Sequence, residues 1–223
     1  MAETIKIAGA DGFEFSAYHE PSFTPRKGGV IVIQEIFGLD EYVRADVGRW
    51  AKMGYEAIAP SMYDRREPGF LAKHDPDGIK AGVAHAMGTP QDQAMGDIAA
   101  CAAFLRTRGS KVCIVGYCYG GSLAWLAASR VEGLAAASSY YGSMVQANAA
   151  QALKCPAIVH LGRTDHGIPA DEVAAAIGEH HPDTPVYIYE GAGHGFNNES
   201  PERYNAEAAD LARHRTLELF DRA

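Results

Sequence analysis

Basic residues are in short supply. Lys and Arg total 20 against 28 Asp and Glu in 223 residues, a formal net charge of −8. A general nucleic-acid binder needs a basic face to neutralise phosphates, so nucleic acid is excluded as a partner, though a local cationic pocket for a small anion is not. No apolar run approaches the ~20 residues that span a bilayer. The opening Met1-Ala2-Glu3-Thr4-Ile5-Lys6-Ile7 lacks the basic start and long apolar stretch of a secretory leader, so no membrane partner and a cytoplasmic location are expected. Cysteine is scarce too. Cys101, Cys113, Cys118 and Cys155 form no C-x-x-C pair, which excludes a disulfide framework or zinc knuckle in a thiol-reducing compartment. H-E-x-x-H and G-x-G-x-x-G are also missing, so neither a metal nor a cofactor is expected. No repeat, low-complexity tract or linker divides the chain. With 47% hydrophobic and 22% charged residues, 1–223 read as a single folded domain.

What is present is a recurring unit: a short apolar run, a turn, then a helical pattern. Residues 29–33, 55–59, 111–115, 134–138, 157–161 and 186–189 read as strands, most of them continuously apolar, as strands covered on both faces must be. An earlier pair, 4–7 and 13–18, alternates more and is joined by Ala10-Asp11-Gly12, which predicts an antiparallel hairpin at a sheet edge. Helices are expected over 40–52, from an N-cap at Thr89 to about Arg108, over 121–129, after Pro169, and from Ser200-Pro201-Glu202. Alternating strands and helices predict an α/β fold with a mainly parallel, doubly wound sheet and helices on both faces. Residues 61–88, with Pro68, Pro76 and many charges, read as an irregular excursion across the strand ends with one short helix, either a plain surface loop or part of a substrate site.

The chemistry concentrates at Val115-Gly116-Tyr117-Cys118-Tyr119-Gly120-Gly121-Ser122, where a buried strand meets a helix. This is a G-x-nucleophile-x-G elbow with cysteine in the usual place of serine. The sharp turn strains the nucleophile's backbone, and side chains at the flanking glycines would collide. A helix N-terminus beside the sulfur favours a thiolate. Cys101, Cys113 and Cys155 read instead as inert buried thiols. Hydrolases built around such an elbow place an acid and then a histidine on loops after successive later strands. Asp165 follows the strand 157–161, and His194 follows 186–189, flanked by glycines. Among the other histidines, His160 reads as a satisfied core residue, His166 as facing solvent or the pocket, and His180-His181 as closing a helix. Asp171 is a rival acid, but the first turn of a helix explains it.

The strand 29–33 runs into Gln34-Glu35-Ile36-Phe37-Gly38. In this architecture the loop there supplies one backbone N–H of the oxyanion hole and the residue after the nucleophile the other, which assigns the donors to Ile36 and Tyr119. Glu35 is costly at the end of a core strand unless partnered, for which a salt bridge to a nearby arginine would suffice. Tyr117, Tyr119, Tyr140 and Phe37 are candidates for either a flat pocket or the core.

Together, Gln34-Glu35-Ile36-Phe37-Gly38, Gly116-Tyr117-Cys118-Tyr119-Gly120-Gly121, Asp165-His166 with Pro169, and His194-Gly195-Phe196 give a sequence that resembles the dienelactone hydrolase (carboxymethylenebutenolidase) family over nearly its whole length. The resemblance implies an α/β-hydrolase fold and a Cys-His-Asp triad, with Cys118 as nucleophile, His194 as acid/base and Asp165 as its orienter. It further implies that Glu35 contacts the resting thiol and is redirected by substrate to take its proton. An arginine that helps hold the substrate carboxylate in the enzyme that opens dienelactone is replaced here by Asn197-Asn198-Glu199. Arg65, Arg66, Lys73 and Lys80, in the excursion, are candidates for a second family arginine. The expected activity is hydrolysis of a small ester or enol-lactone, possibly carboxylate-bearing in the family's manner, through a cysteine thioester. The alternatives are a broad carboxylesterase or thioesterase of the same fold, or a non-catalytic binding protein. A monomer is expected, with a small homo-oligomer as the alternative.

Overall fold

The structure, a computed structural model, describes residues 1–223. In chain order the elements are β1 (Glu3–Ala8), β2 (Glu14–Glu20), β3 (Gly28–Ile33), α1 (Glu41–Lys52), β4 (Tyr55–Pro60), α2 (Pro76–Gly88), α3 (Gln91–Arg106), β5 (Val112–Tyr117), α4 (Tyr119–Arg130), β6 (Ala136–Tyr140), β7 (Ala157–Gly162), α5 (Ala170–His180), β8 (Val186–Tyr189) and α6 (Ala206–Arg222). Eight strands form one sheet in the order β1-β2-β4-β3-β5-β6-β7-β8. The hairpin β1–β2 forms its antiparallel edge, β2 also pairs antiparallel with β4, and the remaining pairs are parallel. This is the doubly wound α/β architecture that the alternating pattern predicts.

The strand order locates the site. From β3 the chain steps outward to β4, then crosses back to place β5 on the other side of β3. With right-handed crossovers, that reversal puts α1 and α3 on opposite faces. It also opens a crevice beyond the carboxyl ends of β3 and β5, where ligands bind in such sheets. Every residue of β3, β4, β5, β6 and β7 is buried, which explains their unbroken apolar character. On one face Trp50 of α1 packs against Phe220 of α6 with ring centroids 5.3 Å apart. Leu105 of α3 packs against Gly29 from the other.

Three expected boundaries move. Residues 61–88 are not mainly irregular: α2 fills half of them, with the Asp75 side chain accepting from Gly78 N at 2.8 Å and Pro76 in the first turn. Thr89 does not cap α3. It ends α2, its hydroxyl donating to the His85 carbonyl at 2.9 Å, and Pro90 occupies the N-cap of α3 without a side-chain bond. Ser200-Pro201-Glu202 forms a turn rather than opening the last helix, which starts after Asn205, whose side chain accepts from Ala208 N.

Candidate active site

The turn from β5 into α4 carries Cys118 at φ 55°, ψ −113°, a left-handed conformation that costs a non-glycine residue energy. Packing enforces it. A Cβ on Gly116 would sit 1.9 Å from the Gly120 carbonyl oxygen, and one on Gly120 2.4 Å from that of Ile33. Only glycine permits these approaches, and together they lift the sulfur out of the core at the N-terminus of a twelve-residue helix.

Two later loops converge on that sulfur. His194 Nε2 lies 3.1 Å from Cys118 Sγ, and His194 Nδ1 lies 2.7 Å from Asp165 Oδ2. The other Asp165 oxygen accepts from Gly167 N at 2.9 Å, fixing the carboxylate plane. Burial works against the charge on Asp165, but the bonds from His194 and Gly167 outweigh it and hold the carboxyl below its ordinary range. Burial also opposes a charge on His194. Its bonds to Asp165 and Cys118 and their negative charges prevail, lifting the imidazole to about 10. An imidazolium beside a sulfur is the arrangement that stabilises a thiolate.

The β3 loop completes the constellation. Gly120 N donates to the Gln34 carbonyl at 3.1 Å, tying the start of α4 to that loop. The N–H groups of Ile36 and Tyr119 are spent on no protein acceptor and so remain available to an oxyanion. Beyond them opens a cleft of about 740 Å³. Cys118, His194, Glu35 and Ile36 lie on its inner side, with Phe37, Tyr119 and Arg203 also in its wall. The other candidates separate cleanly. Tyr117 and Tyr140 are buried, and His160 is a core residue bonded to Tyr189 and Thr216 and lowered by burial to about 3. Cys113 and Cys155 are pushed up by burial to about 12 and about 11, and Cys101 is raised further still. His166 is exposed and outside the cleft.

Residues 15–223 match the sequence profile of the dienelactone hydrolase family. A carboxymethylenebutenolidase from Pseudomonas putida is 33% identical over 231 residues, covering 99% of this chain and 96% of that protein. The chain belongs to the dienelactone hydrolase family. A crystal structure from Klebsiella pneumoniae assigned to dienelactone hydrolase superimposes with a TM-score of 0.87 at 28% identity, over 100% of this chain and 99% of that one. The Pyrococcus furiosus esterase Pf2001 shares the fold, with a TM-score of 0.71 at 12% identity, over 97% of this chain and 92% of its own. As a dienelactone hydrolase family member this chain is an α/β-hydrolase-fold enzyme acting on an ester or lactone bond.

Against the family resemblance, Glu35 departs from expectation. Its carboxyl does not contact the thiol, which pairs with His194. Instead Glu35 Oε2 accepts from Asn198 Nδ2 at 2.7 Å, and Oε1 is buried without a partner. Neither is there the salt bridge that would have explained Glu35 structurally. Burial pushes its carboxyl upward, and the Asn198 bond offsets only part of that. Asn198 is in turn held by Ser200 N, which donates to its Oδ1. Its neighbour Asn197 accepts from Arg213 Nη2, and Arg213 forms a buried ion pair with Asp46. Asp46 also accepts from Tyr117 Oη at 2.6 Å and Trp50 Nε1 at 3.1 Å, so the loop after His194 is anchored to the strand beneath the elbow.

None of Arg65, Arg66, Lys73 and Lys80 lines the cleft. Arg65 is committed to Asp11 and Asp97, and Arg66 donates to the Gly88 carbonyl. The guanidinium in the cleft wall is that of Arg203, 5.8 Å from the Phe37 ring centroid and without an ion pair or side-chain hydrogen bond. Sequence reasoning passed over it, because it lies nine positions beyond His194 in a turn read as the start of a helix. Tyr141 was missed as well. It is buried at φ 39° with its ring 5.2 Å from that of His194, and no glycine marks its strained backbone.

Proposed function

We propose that this enzyme hydrolyses esters or enol-lactones through an acyl thioester on Cys118. The reading is carried by the in-line chain Sγ, imidazole, carboxylate, at 3.1 and 2.7 Å, beside two unspent N–H donors. In the free enzyme the thiol proton resides on His194, leaving a thiolate–imidazolium pair. The thiolate attacks the carbonyl carbon, and the oxyanion gathers the N–H groups of Ile36 and Tyr119, each such donor being worth roughly 3 kcal/mol. As the carbon–oxygen bond breaks, His194 gives its proton to the departing alkoxide or enolate, and Cys118 becomes a thioester. The neutral imidazole then accepts a proton from water attacking the thioester. Collapse releases the acid, and the ion pair is restored.

A thiolate is a better leaving group than an amide nitrogen, so activated esters and enol-lactones are favoured over amides. The name of the Pseudomonas putida relative supports an enol-lactone of the carboxymethylenebutenolide type. Arg203, free of any acidic partner, is placed to meet a substrate carboxylate. Glu35 enters as the switch: released from Asn198, its carboxyl would return to the wall of the cleft beside the sulfur. Assays of Cys118→Ala and Cys118→Ser on a nitrophenyl ester and a five-membered enol-lactone test the reading. It predicts that turnover collapses in both, and undiminished turnover in Cys118→Ala would end it. A second reading, a broader carboxylesterase or thioesterase, draws on the size of the cleft, and a lactone-versus-acyl panel separates the two.

A further inference from the structure

The cleft is larger and more apolar than a five-membered lactone requires, and its apolar part has one source. Ile79, Val83, Ala86 and Met87 all come from α2, and Leu123 and Met144 face them from the α4 side. Met87 is 84% exposed and Val83 41%, although both lie on a cleft wall where an ordinary surface helix would carry polar residues. Leaving these side chains in water gains nothing unless something apolar covers them. The helix is seated close to the reacting atoms. Gly82 lies so near the Ile36 carbonyl that a Cβ there would be 2.3 Å from its oxygen, so α2 rests directly on the oxyanion loop. His194 and Arg203 belong to the segment after β8, away from α2 in the chain and in the cleft wall.

These placements sort the two limbs of an ester. The leaving oxygen must face His194, which protonates it, and the carbonyl oxygen must face Ile36 and Tyr119. The acyl limb is then left to run along α2. We infer that the enzyme selects esters with an extended apolar acyl chain, of medium alkyl length or arylalkyl, bound against Val83 and Met87 with Met144 opposite. Flexible methionines suit such a wall because they repack around chains of different shape. The inference rests on the acyl-thioester reading and extends it to the substrate's acyl part.

The test is a series of nitrophenyl esters from acetate through butyrate and hexanoate to octanoate, beside a series of acetate esters whose alcohol limb is lengthened instead. In the wild-type enzyme kcat/KM should climb about two- to fourfold per methylene in the acyl series until the cleft is filled, and change little in the alcohol series. The exposed-helix variants Val83→Ser and Met87→Ser, alone and combined, should flatten the acyl slope, read as the octanoate-to-acetate ratio within each variant. A flat or falling acyl slope in an enzyme that turns over acetate through Cys118 would overturn the inference. So would a slope that follows the alcohol limb, or one unaltered in the double variant. Turnover that survives Cys118→Ala would strike the thioester reading first and remove the basis for the inference with it.

Discussion

Asn198 donates to Glu35 across 2.7 Å and 163 positions of sequence, and that bond holds the glutamate on the far side of its carboxyl from Cys118. The site therefore has two carboxyl groups with separate duties. Asp165 is committed to His194, while Glu35 is parked on an amide.

Replacing Asn198 with Leu tests the parking bond. The substitution leaves a buried acid without its one hydrogen-bond partner, which should cost about 1–3 kcal/mol of stability. The urea midpoint should fall with the m-value unchanged. A midpoint equal to that of the wild type would show that Glu35 does not depend on Asn198.

Glu35 and His194 make opposite predictions for the resting thiol. Because the sulfur pairs with the imidazole, Glu35→Gln should leave the rate of Cys118 alkylation by iodoacetamide within about twofold of wild type, whereas His194→Gln should slow it roughly tenfold or more. Peptide mapping of the alkylated protein gives both rates and shows whether Cys118 is labelled ahead of the three buried thiols. A large loss in Glu35→Gln with little change in His194→Gln would reverse the assignment of the resting base.

The pH dependence of stability follows from His194. Its folded pKa, about 10, lies above the ordinary histidine value of 6.5. The stabilisation its charge provides is thus fully present below about pH 6.5 and is lost as pH rises toward 10. The Tm difference between wild type and His194→Gln should narrow over that window. A difference that widens with rising pH would contradict the imidazolium.

The buried pair of Asp46 and Arg213 ties the loop after His194 to the elbow strand. Arg213→Leu would leave Asp46, 2% exposed, as an uncompensated buried charge and should destabilise the fold by about 3–5 kcal/mol. It also removes the donor to Asn197, so kcat should fall with little change in KM even below the melting temperature. Steady-state kinetics at 25 °C with parallel thermal melts separate the two effects.

The triad was legible in the sequence because each member stands at the end of an apolar strand beside glycines, where residue type and chain order can be read together. The eight strands were legible for the same reason, their burial on both faces leaving unbroken apolar runs. The partner of Glu35 was not, because a bond between residues 35 and 198 has no local pattern. The helix α2 was hidden by Gly78, Gly82 and Gly88, poor helix formers kept where the backbone approaches Lys73, Ile36 and Arg66. The Asp75-Pro76 start was there to be read, but the prolines and charges around it argued for a loop. Thr89 misled in a different way. Its hydroxyl satisfies the preceding helix rather than the following one, and sequence alone does not say which way a threonine between two helices turns.

The central claim is a covalent acyl group on one sulfur. The direct measurement is mass spectrometry of enzyme quenched in acid within the first turnover of a nitrophenyl ester, followed by peptide mapping. The account predicts a mass increase equal to the acyl group on the peptide containing Cys118, absent from Cys118→Ala. An unmodified Cys118 peptide throughout turnover, or the acyl group on another residue, would contradict it.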